Sequence, residues 1–301
     1  MEQTWKQAKG AFAAVFTPPT FWLVFFFLIP LAVIWAYSFG VNSGPTEISL
    51  TGTFANYMRA FEPVYLTIFL KSAWVAGLTT LLCLVIGFPV ALGIAFAGPR
   101  LKSWLLLLIM LPFWTNLLIR TYALIAVLRS EGYVNNIYEW FYHNASGLMQ
   151  VFGLAALPTY QPLELLHNSW AVVFGLIYVN LPFMVLPLYS ALDRMDRSLM
   201  EASLDLGAGH LRTIFLVVVP LAAPGIASGI LITFIPALGS YLTPDLLGGP
   251  NDQMIANVIE RQFKRANDWP FGSALSFILM YLTFIAIAVQ ALMAPRTGKR
   301  A

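Results

Sequence analysis

The stretch Ser198–Pro220 reads SLMEASLDLGAGHLRTIFLVVVP and separates two long apolar runs of the chain. Ser198, followed three residues later by Glu201, predicts a capping box at the start of a short helix. Gly207 and Gly209 predict the end of that helix, because glycine is a poor helix former. A short polar helix between apolar runs is expected to lie outside the bilayer, where it suits docking into a groove of a partner.

The two faces of this predicted helix differ in polarity. Glu201, Asp205 and Arg212 fall close to one stripe. The opposing face is predicted to consist of Leu199, Ala202, Ser203 and Leu206.

The spacing of the stretch resembles the cytoplasmic loop of the permease subunits of ABC importers. That loop has the form E-A-A, three residues, Gly, nine residues, I-x-L-P, and here it stands as Glu201-Ala202-Ser203, Gly207 and Val217-x-Val219-Pro220. Ser and Val replace small and aliphatic residues of the pattern, while the spacing is kept. The resemblance implies that residues 193–220 form a coupling loop that engages a separate ATPase. The implied coupling residues are Glu201, Ala202, Ser203, Asp205, Gly207 and Arg212.

The composition places the chain among multi-span membrane proteins. Of its 301 residues, 59% are hydrophobic and 10% are charged, whereas a soluble domain carries about 25% charged residues. The net charge of +3 is too small to indicate a nucleic-acid partner. The single cysteine, Cys83, lies in an apolar run and has no partner for an intrachain disulfide.

Hydropathy predicts six spans, each near the ~20 residues needed to cross the hydrocarbon core. They are Phe21–Phe39, Ser72–Phe96, Trp104–Leu128, Ser169–Leu192, Pro224–Leu242 and Phe271–Met293. The first is expected to be an uncleaved helix, because no small-residue cleavage site follows it. The predicted fold class is all-α, a six-span transmembrane bundle with a coupling helix, and the resemblance implies the type I importer kind.

The predicted spans divide the chain into four parts. These are an N-terminal segment 1–20, a first helix and outer loop 21–71, a core transmembrane domain 72–293, and a basic tail 294–301. Most of the 17 Lys and Arg residues fall on the side of the two termini. The positive-inside rule therefore places both termini and the coupling loop in the cytoplasm of a bacterial inner membrane.

Two outer loops are expected to contain structure. Residues 131–150 are rich in aromatic side chains and predict an amphipathic helix on the membrane surface. The turn-rich stretch 243–250 leads into a predicted helix at Gln253–Arg265.

The chain lacks the motifs of an enzyme. It has no G-x-x-x-x-G-K-[ST] loop, no H-E-x-x-H and no G-x-S-x-G, and its three histidines are far apart in sequence. We therefore expect no catalytic residues, no metal site and no cofactor in this chain. ATP and Mg²⁺ are expected on partner ATPase subunits.

The third span carries Arg120 within an apolar run, where an ionisable residue is a functional candidate. A straight helix puts it about 24 Å from Trp104, near the outer interface, and we expect it to form a structural or gating ion pair. Aromatic faces and amides that suit an amine cargo through cation–π contact lie nearby and in later spans. Packing or an interfacial belt is the alternative for these residues. The candidates for a substrate path are Phe113, Trp114, Asn116, Tyr122, Tyr178, Asn180 and Tyr241.

Several stretches between Ser72 and Leu292 resemble the spermidine/putrescine permease family. They are LPFWTNLLIRTY (Leu111–Tyr122), LPFMVLPLYS (Leu181–Ser190), Gly248-Gly249-Pro250, Asn257-Val258-Ile259 with Gln262-Phe263, and DWPFGSA (Asp268–Ala274). The resemblance implies a polyamine importer working by alternating access. It also implies three kinds of partner, namely a second homologous permease, two ATPase subunits and a periplasmic polyamine-binding protein.

Other functions stay open. An importer of the same architecture could carry an opine, a phosphonate or an oxyanion, because Arg120, Lys264 and Arg265 suit an anionic cargo. A stand-alone secondary transporter or channel is a second alternative, and an intramembrane enzyme is a distant third.

Overall fold

The computed structural model describes residues 9–44, 47–151 and 160–293. The predicted segment 1–20 is thus described from residue 9 onward. The predicted basic tail 294–301 lies outside the described residues, as does Lys6. Some of the Lys and Arg residues on which the predicted orientation depends are therefore not described. The division of the chain into four parts stays a prediction.

Helices dominate the described chain. The first six are α1 (Lys9–Leu23), α2 (Ile29–Tyr37), α3 (Ala55–Ala60), α4 (Pro63–Phe96), α5 (Pro99–Met110) and α6 (Leu117–Leu128). The next five are α7 (Tyr133–Val151), α8 (Ser169–Asp193), α9 (Ser198–Asp205), α10 (His210–Thr213) and α11 (Val219–Leu221). The last four are α12 (Ala223–Leu238), α13 (Leu242–Leu247), α14 (Ile255–Lys264) and α15 (Trp269–Met293).

Shorter elements join some of these helices. A π-helical turn, Val24–Leu28, links α1 to α2, and a second, Ile214–Val218, links α10 to α11. A 3₁₀ turn, Leu111–Trp114, follows α5. Two strands that the sequence did not predict, β1 (Gly40–Asn42) and β2 (Ile48–Leu50), pair antiparallel.

Four helices are long and apolar enough to cross a membrane, and the number rises to six if each of two bent helix pairs is one span. The four are Phe12–Tyr37, Pro63–Phe96, Ser169–Asp193 and Trp269–Leu292. The six predicted spans correspond to these four helices and the two bent pairs. The second helix begins at Pro63 rather than at Ser72, so Lys71 lies in a helix and not in a loop.

The predicted third span is not one straight helix. Pro99–Trp114 and Leu117–Gly147 meet at an angle of 97°. The break has a local cause, because Asn116 adopts extended backbone angles and its Oδ1 accepts a hydrogen bond from the N–H of Leu118 at 2.8 Å. A side-chain cap of this kind starts a new helix.

The predicted fifth span, Pro224–Leu242, corresponds to helix α12, which a bend at Ala222 joins to the helical segment before it. His210–Leu221 and Ala223–Leu238 meet at 71°. The helix ends at Leu238 rather than at Leu242, and Leu242 begins the separate helix α13.

The described residues fall into two compact units. The first takes those of Met1–Leu66 and Val258–Leu282. In it, Arg59 pairs with Asp268 (Nη1–Oδ2 2.7 Å) and lies over the ring of Phe271, 4.0 Å from its centroid. Asp268 also caps α15, since its Oδ1 accepts from the N–H of Phe271 at 3.3 Å. The DWPFG stretch thus anchors the start of α15.

The second unit takes the described residues of Thr67–Asn257 and Thr283–Ala301. Its core is built around α8, whose apolar side chains pack on the buried face of α4 and on the residues before α12. One cluster of this core consists of Cys83, Ala91, Ile94, Ala95, Met184, Val185, Leu188, Leu192, Val218 and Ala222. This unit holds the coupling loop and all the candidate path residues.

Helices α8 and α12 approach closely at two glycines four residues apart. A Cβ on Gly225 would lie 2.4 Å from the Cβ of Ala191 and 2.9 Å from the carbonyl oxygen of Pro187. A Cβ on Gly229 would lie 2.8 Å from the Sδ of Met184. This Gly-x-x-x-Gly arrangement is typical of tightly packed membrane helices, and the sequence reading missed it.

Candidate functional site

The coupling loop, residues 193–220, contains the short helix that the sequence predicts. Helix α9 runs from Ser198 to Asp205. The predicted capping box is wrong, because the N-cap position is Arg197 and makes no side-chain cap. Instead the carboxylate of Asp196 accepts a hydrogen bond from the N–H of Ser198 at 3.0 Å. This bond, the largest cause, lowers the pKa of Asp196 and keeps its charge at the positive end of the helix.

The end of α9 is a Schellman motif centred on Gly207. This residue has φ +85°, which is the left-handed region that favours glycine. The N–H of Ala208 donates to the carbonyl oxygen of Ser203 at 3.1 Å, and the N–H of Gly207 donates to that of Leu204 at 2.9 Å. Gly207 therefore ends the helix, as predicted, and turns the chain toward α10.

Polar contacts of Ser203 and Arg197 help to hold α9 against the rest of its unit. The hydroxyl of Ser203 lies 3.0 Å from that of Thr213, which is only 2% exposed. The guanidinium of Arg197 lies over the ring of Phe96, 5.2 Å from its centroid, and donates to the carbonyl oxygen of Ala95 at 3.3 Å. Motion of α9 would therefore reach the end of α4 and the start of the bent pair.

Large apolar side chains of the coupling loop are exposed. Leu206 is 88% exposed and Leu211 is 73% exposed. Leu206 was predicted to oppose the charged stripe, but it lies beyond the end of α9, where the helical pattern no longer sets its direction. The coupling candidates that are exposed are Glu201, Ala202, Asp205, Gly207 and Arg212. In the part of the chain that the structure describes, none of the charged ones forms an ion pair.

The candidate path residues are not gathered into one cluster by any described contact. Phe113 packs edge-on against Phe183, with ring centroids 4.8 Å apart. Asn180 is buried and donates to the carbonyl oxygen of Leu176 at 2.8 Å. The role of Asn116 as a helix cap also takes up its amide oxygen. The path candidates that stay exposed are Trp114, Tyr122, Tyr178 and Tyr241.

Arg120 lies in α6 with its Nε and Nη1 buried, and neither atom has a hydrogen-bond partner among the described residues. The expected ion pair is therefore wrong for the described part of the chain. The bend between α5 and α6 also removes the straight helix on which the 24 Å estimate rested.

A polar centre around Asp252 joins α4, α8 and the loop before α14, and the sequence reading missed it. Lys71 Nζ donates to Asp252 Oδ1 at 3.0 Å and to the carbonyl oxygen of Asn251 at 2.6 Å. Ser169 Oγ donates to the same Oδ1, and the N–H of Gly249 donates to Oδ2 at 3.1 Å. Burial would raise the pKa of Asp252, but these hydrogen bonds outweigh it and lower the pKa. The Gly248-Gly249-Pro250 stretch is thus held in place by these polar contacts.

Within the described residues, no group of three or more His, Cys, Asp or Glu side chains is placed to hold a metal ion. The absence of a metal site and of a cofactor stays a prediction.

The profile of the family described as "binding-protein-dependent transport system inner membrane component" matches residues 84–299. The chain belongs to this family. Its members are transport subunits of the inner membrane, so the permease is a multi-pass membrane protein and not itself an enzyme. The predicted resemblance to ABC importer permeases is confirmed.

Several transport permeases are similar to this chain in sequence. The spermidine/putrescine transport system permease protein PotB of Haemophilus influenzae is 38% identical over 268 residues, which are 89% of this chain and 88% of that protein. The PotB protein of Escherichia coli is 37% identical over 268 residues, 89% of this chain and 92% of its own. The molybdenum transport system permease protein ModB of Azotobacter vinelandii is 30% identical over 199 residues, 66% of this chain and 80% of its own. The resemblance to the spermidine/putrescine permease family is confirmed.

Solved structures show the same fold. A chain of a bacterial ABC transporter involved in the import of the acidic polysaccharide alginate superimposes with a TM-score of 0.75 over 99% of both chains, at 17% identity. A chain of a bacterial alginate ABC transporter, in complex with an alginate pentasaccharide-bound periplasmic protein, gives 0.74 over 98% of both chains. The permease therefore has the fold of an ABC importer transmembrane subunit.

Proposed function

We propose that the permease carries polyamines of the spermidine/putrescine kind into the cytoplasm. The observation that carries this proposal is the 37–38% identity to PotB proteins over 89% of the chain. The relative named for molybdenum transport reaches 30% identity over only 66% of the chain. A permease's path must suit its cargo along the length of the bundle. The similarity to the PotB proteins, which covers more of the chain, therefore favours a cationic cargo.

Both termini and the coupling loop lie on the cytoplasmic side in this proposal. The distribution of Lys and Arg supports that orientation. The partners are a second homologous permease, two ATPase subunits below the membrane and a periplasmic polyamine-binding protein above it. The family description, which names binding-protein-dependent transport, supports the last of these.

The coupling loop supplies the mechanical link to the ATPases. Its exposed residues include Leu206 and Leu211 and, close to them in sequence, Glu201, Asp205 and Arg212. Large exposed apolar side chains accompanied by charged ones are typical of a docking surface. Ala202 allows a partner to approach closely, and the Schellman turn at Gly207 keeps α9 at a fixed angle to the helix that follows.

Transport then follows alternating access. ATP and Mg²⁺ bound by the partner subunits drive their closure, and no cofactor is held by this chain. The movement passes through α9 to Thr213 and to the end of α4, because Ser203 and Arg197 contact them. Rocking of the packed helices opens the path to each side in turn.

The cargo path in this proposal includes Phe113, Trp114, Asn116, Tyr122, Tyr178, Asn180 and Tyr241. The exposed rings of Trp114, Tyr122, Tyr178 and Tyr241 support it, since aromatic faces attract ammonium groups by ~0.5–1 kcal/mol at exposed sites. The buried Asn180 supports the path only by fixing the geometry of α8.

The cargo is tested by uptake in cells that carry the complete transporter and no other polyamine importer. Labelled spermidine and putrescine are expected to accumulate, and each unlabelled polyamine is expected to compete. Molybdate and a phosphonate serve as anionic competitors. Competition by an anion, without competition by either polyamine, would reject the proposed cargo.

The coupling role is tested separately with Glu201→Lys, which reverses an exposed charge of α9. The variant is expected to insert and assemble but to lose most uptake and most transport-dependent ATP hydrolysis. Glu131→Lys is the matched control, because Glu131 is also exposed but lies far from the coupling loop in sequence. Normal uptake by an assembled Glu201→Lys complex would reject the docking role.

A further inference from the structure

Helix α7 has two sides of different character. At about 100° per residue, one stripe carries large apolar and aromatic side chains. These are Tyr133, Ile137, Trp140 and Phe141, and each is at least half exposed. Asn135, Tyr138 and Tyr142 lie on the opposite side of the helix. If α7 lies on the membrane surface, the exposed stripe is the side that meets lipid, and the opposite side is turned away from it.

The opposite side is held in place by a buried amide. Asn135 is 1% exposed, and its Nδ2 donates to the carbonyl oxygens of Arg129 and Leu163 at 3.2 and 3.1 Å. Its Oδ1 accepts from the N–H of Leu163 at 2.7 Å. The hydroxyl of Tyr160 donates to the backbone oxygen of Asn135 at 3.2 Å. Residues 160–163 are therefore fastened along α7.

These hydrogen bonds bring the ring of Tyr160 next to three rings of α7. We call the four the tyrosine cluster: Tyr138, Tyr142, His143 and Tyr160. The ring of Tyr160 is central, with centroid distances of 5.8 Å to Tyr138, 5.6 Å to Tyr142 and 6.2 Å to His143. The rings of Tyr138 and Tyr142 are 6.4 Å apart. The rings of Tyr142 and His143 are T-shaped with centroids 6.1 Å apart, and the other four contacts are tilted, so the rings do not form one flat stack.

Glu139 adds a negative charge beside these rings. Residues three and four apart on a helix are surface neighbours, so Glu139 lies next to both Tyr142 and His143. Its Oε1 is 3.7 Å from His143 Nε2, and its side chain is 48% exposed. Burial, Glu139 and Tyr138 together raise the pKa of Tyr160, so its ring stays uncharged.

One atom of the cluster lacks a partner. The hydroxyl oxygen of Tyr142 is buried and has no hydrogen bond to any residue that the structure describes. Burying a hydroxyl without a partner costs about 1–3 kcal/mol, so such a group in a folded protein calls for a ligand or a water. A donor that carries positive charge would satisfy this oxygen and face Glu139 at the same time.

We propose that the tyrosine cluster and Glu139 form a binding site for a primary alkylammonium group. The ring faces attract the cation, Glu139 pairs with its charge, and the Tyr142 oxygen accepts one of its three N–H donors. An anion would be repelled by Glu139, and a neutral solute would gain nothing from the ring quadrupoles. The site lies outside the candidate cargo path.

The site is expected to bind cargo before it enters the path, and this role rests on the proposed function. In the proposed orientation α7 follows the outer end of α6, so the cluster faces the side from which cargo arrives. A polyamine has an ammonium group at each end. One of these groups is able to stay bound to the tyrosine cluster while the other enters the path.

The test uses the assembled transporter purified in detergent, without a binding protein, and n-butylammonium as the probe. Saturation-transfer NMR or calorimetry gives the Kd, and 1-butanol, which has the same chain without the charge, is expected not to bind. Glu139→Gln is expected to raise the Kd at least five-fold, and Tyr142→Phe about three-fold by removing only the hydroxyl. Trp140→Leu, on the opposite stripe, is the matched control and is expected to leave the Kd within two-fold.

Two results would overturn the proposal. One is an unchanged Kd in both Glu139→Gln and Tyr142→Phe, which preserve the shape of the helix. The other is a Trp140→Leu variant that weakens binding as much as Glu139→Gln does, since the probe would then be adsorbing to the exposed aromatic stripe. Butylammonium binding by a transporter that takes up no polyamine would reject the proposed cargo and leave this site intact.

Discussion

The hydroxyl oxygens of Ser203 and Thr213 lie 3.0 Å apart, which ties the last turn of the coupling helix α9 to a buried residue of α10. Their separation in sequence spans the Schellman turn at Gly207. The bond therefore closes a small loop, and α9 and α10 move as one piece.

Ser203→Ala is expected to loosen this connection. The buried Thr213 hydroxyl loses its partner, so the variant should lose about 1 kcal/mol of stability and transport more slowly with an unchanged KM. Thermal unfolding of the purified complex and initial uptake rates provide the measurements. Ser103→Ala, which removes an exposed hydroxyl bonded only to its own helix, is the control. Equal effects of the two variants would show that the bond to Thr213 has no particular role.

Gly207→Ala is expected to cost about 1–2 kcal/mol, because a residue with a Cβ is strained at φ +85°. Apart from the adjoining residues, no atom of the described chain lies within 4 Å of the added Cβ, so the cost is expected from backbone strain. Gly209→Ala is a close control, since Gly209 has φ −70° and equally open surroundings. We expect the first variant to reduce ATPase coupling and the second to behave as wild type. Similar coupling in both variants would contradict the importance of the left-handed turn.

Gly225→Ala is expected to disrupt the packing of α8 against α12. The added methyl group would lie 2.4 Å from the Cβ of Ala191, and overpacking of this kind costs about 1–3 kcal/mol. Gly77→Ala in α4 is the control, because nothing lies within 4 Å of its Cβ and alanine favours a helix. Size-exclusion profiles after heating should separate the two. A Gly225→Ala protein as stable as Gly77→Ala would show that the helices adjust freely.

Asp252→Ala is expected to destabilise the second unit more than Lys71→Ala does. Asp252 accepts from Lys71, Ser169 and Gly249, so its loss leaves several donors unpaired and should cost about 2 kcal/mol. A double variant measures the coupling between Lys71 and Asp252 directly. Purely additive losses would contradict the described pairing.

The carboxylate of Asp252 is also expected to make the stability of the folded protein fall at acidic pH. The pKa of Asp252 is lowered in the folded state, so its contribution is present above the unfolded value of about 3.9 and is lost as the pH falls through the lower folded pKa. Unfolding measured between pH 3 and pH 6 should show this loss in the wild type and less of it in Asp252→Asn. Asp245→Asn, at an exposed carboxylate, is the control. An identical acid profile for wild type and Asp252→Asn would reject this source of pH dependence.

The elements that depend on neighbouring residues could be predicted from the sequence. The apolar spans, the helix of the coupling loop and its end at Gly207 all follow from patterns within one helix or one turn. The break in the third span also had a local signal, since Asn116 precedes an apolar run as an N-cap does. It was missed because hydropathy alone merged the two halves.

Contacts between residues far apart in sequence could not be predicted in this way. The amino-acid sequence by itself determined that the chain crosses a membrane several times and carries an exposed helix that ends at Gly207 between two spans, because hydrophobic length and turn chemistry are local properties. Only the tertiary structure decided that Asp252 meets Lys71 and Ser169, that Gly225 meets Pro187, and that Tyr160 joins the rings of α7. These pairs depend on how the helices pack, and packing selects partners by shape and by the need to satisfy buried polar groups, which no single segment encodes.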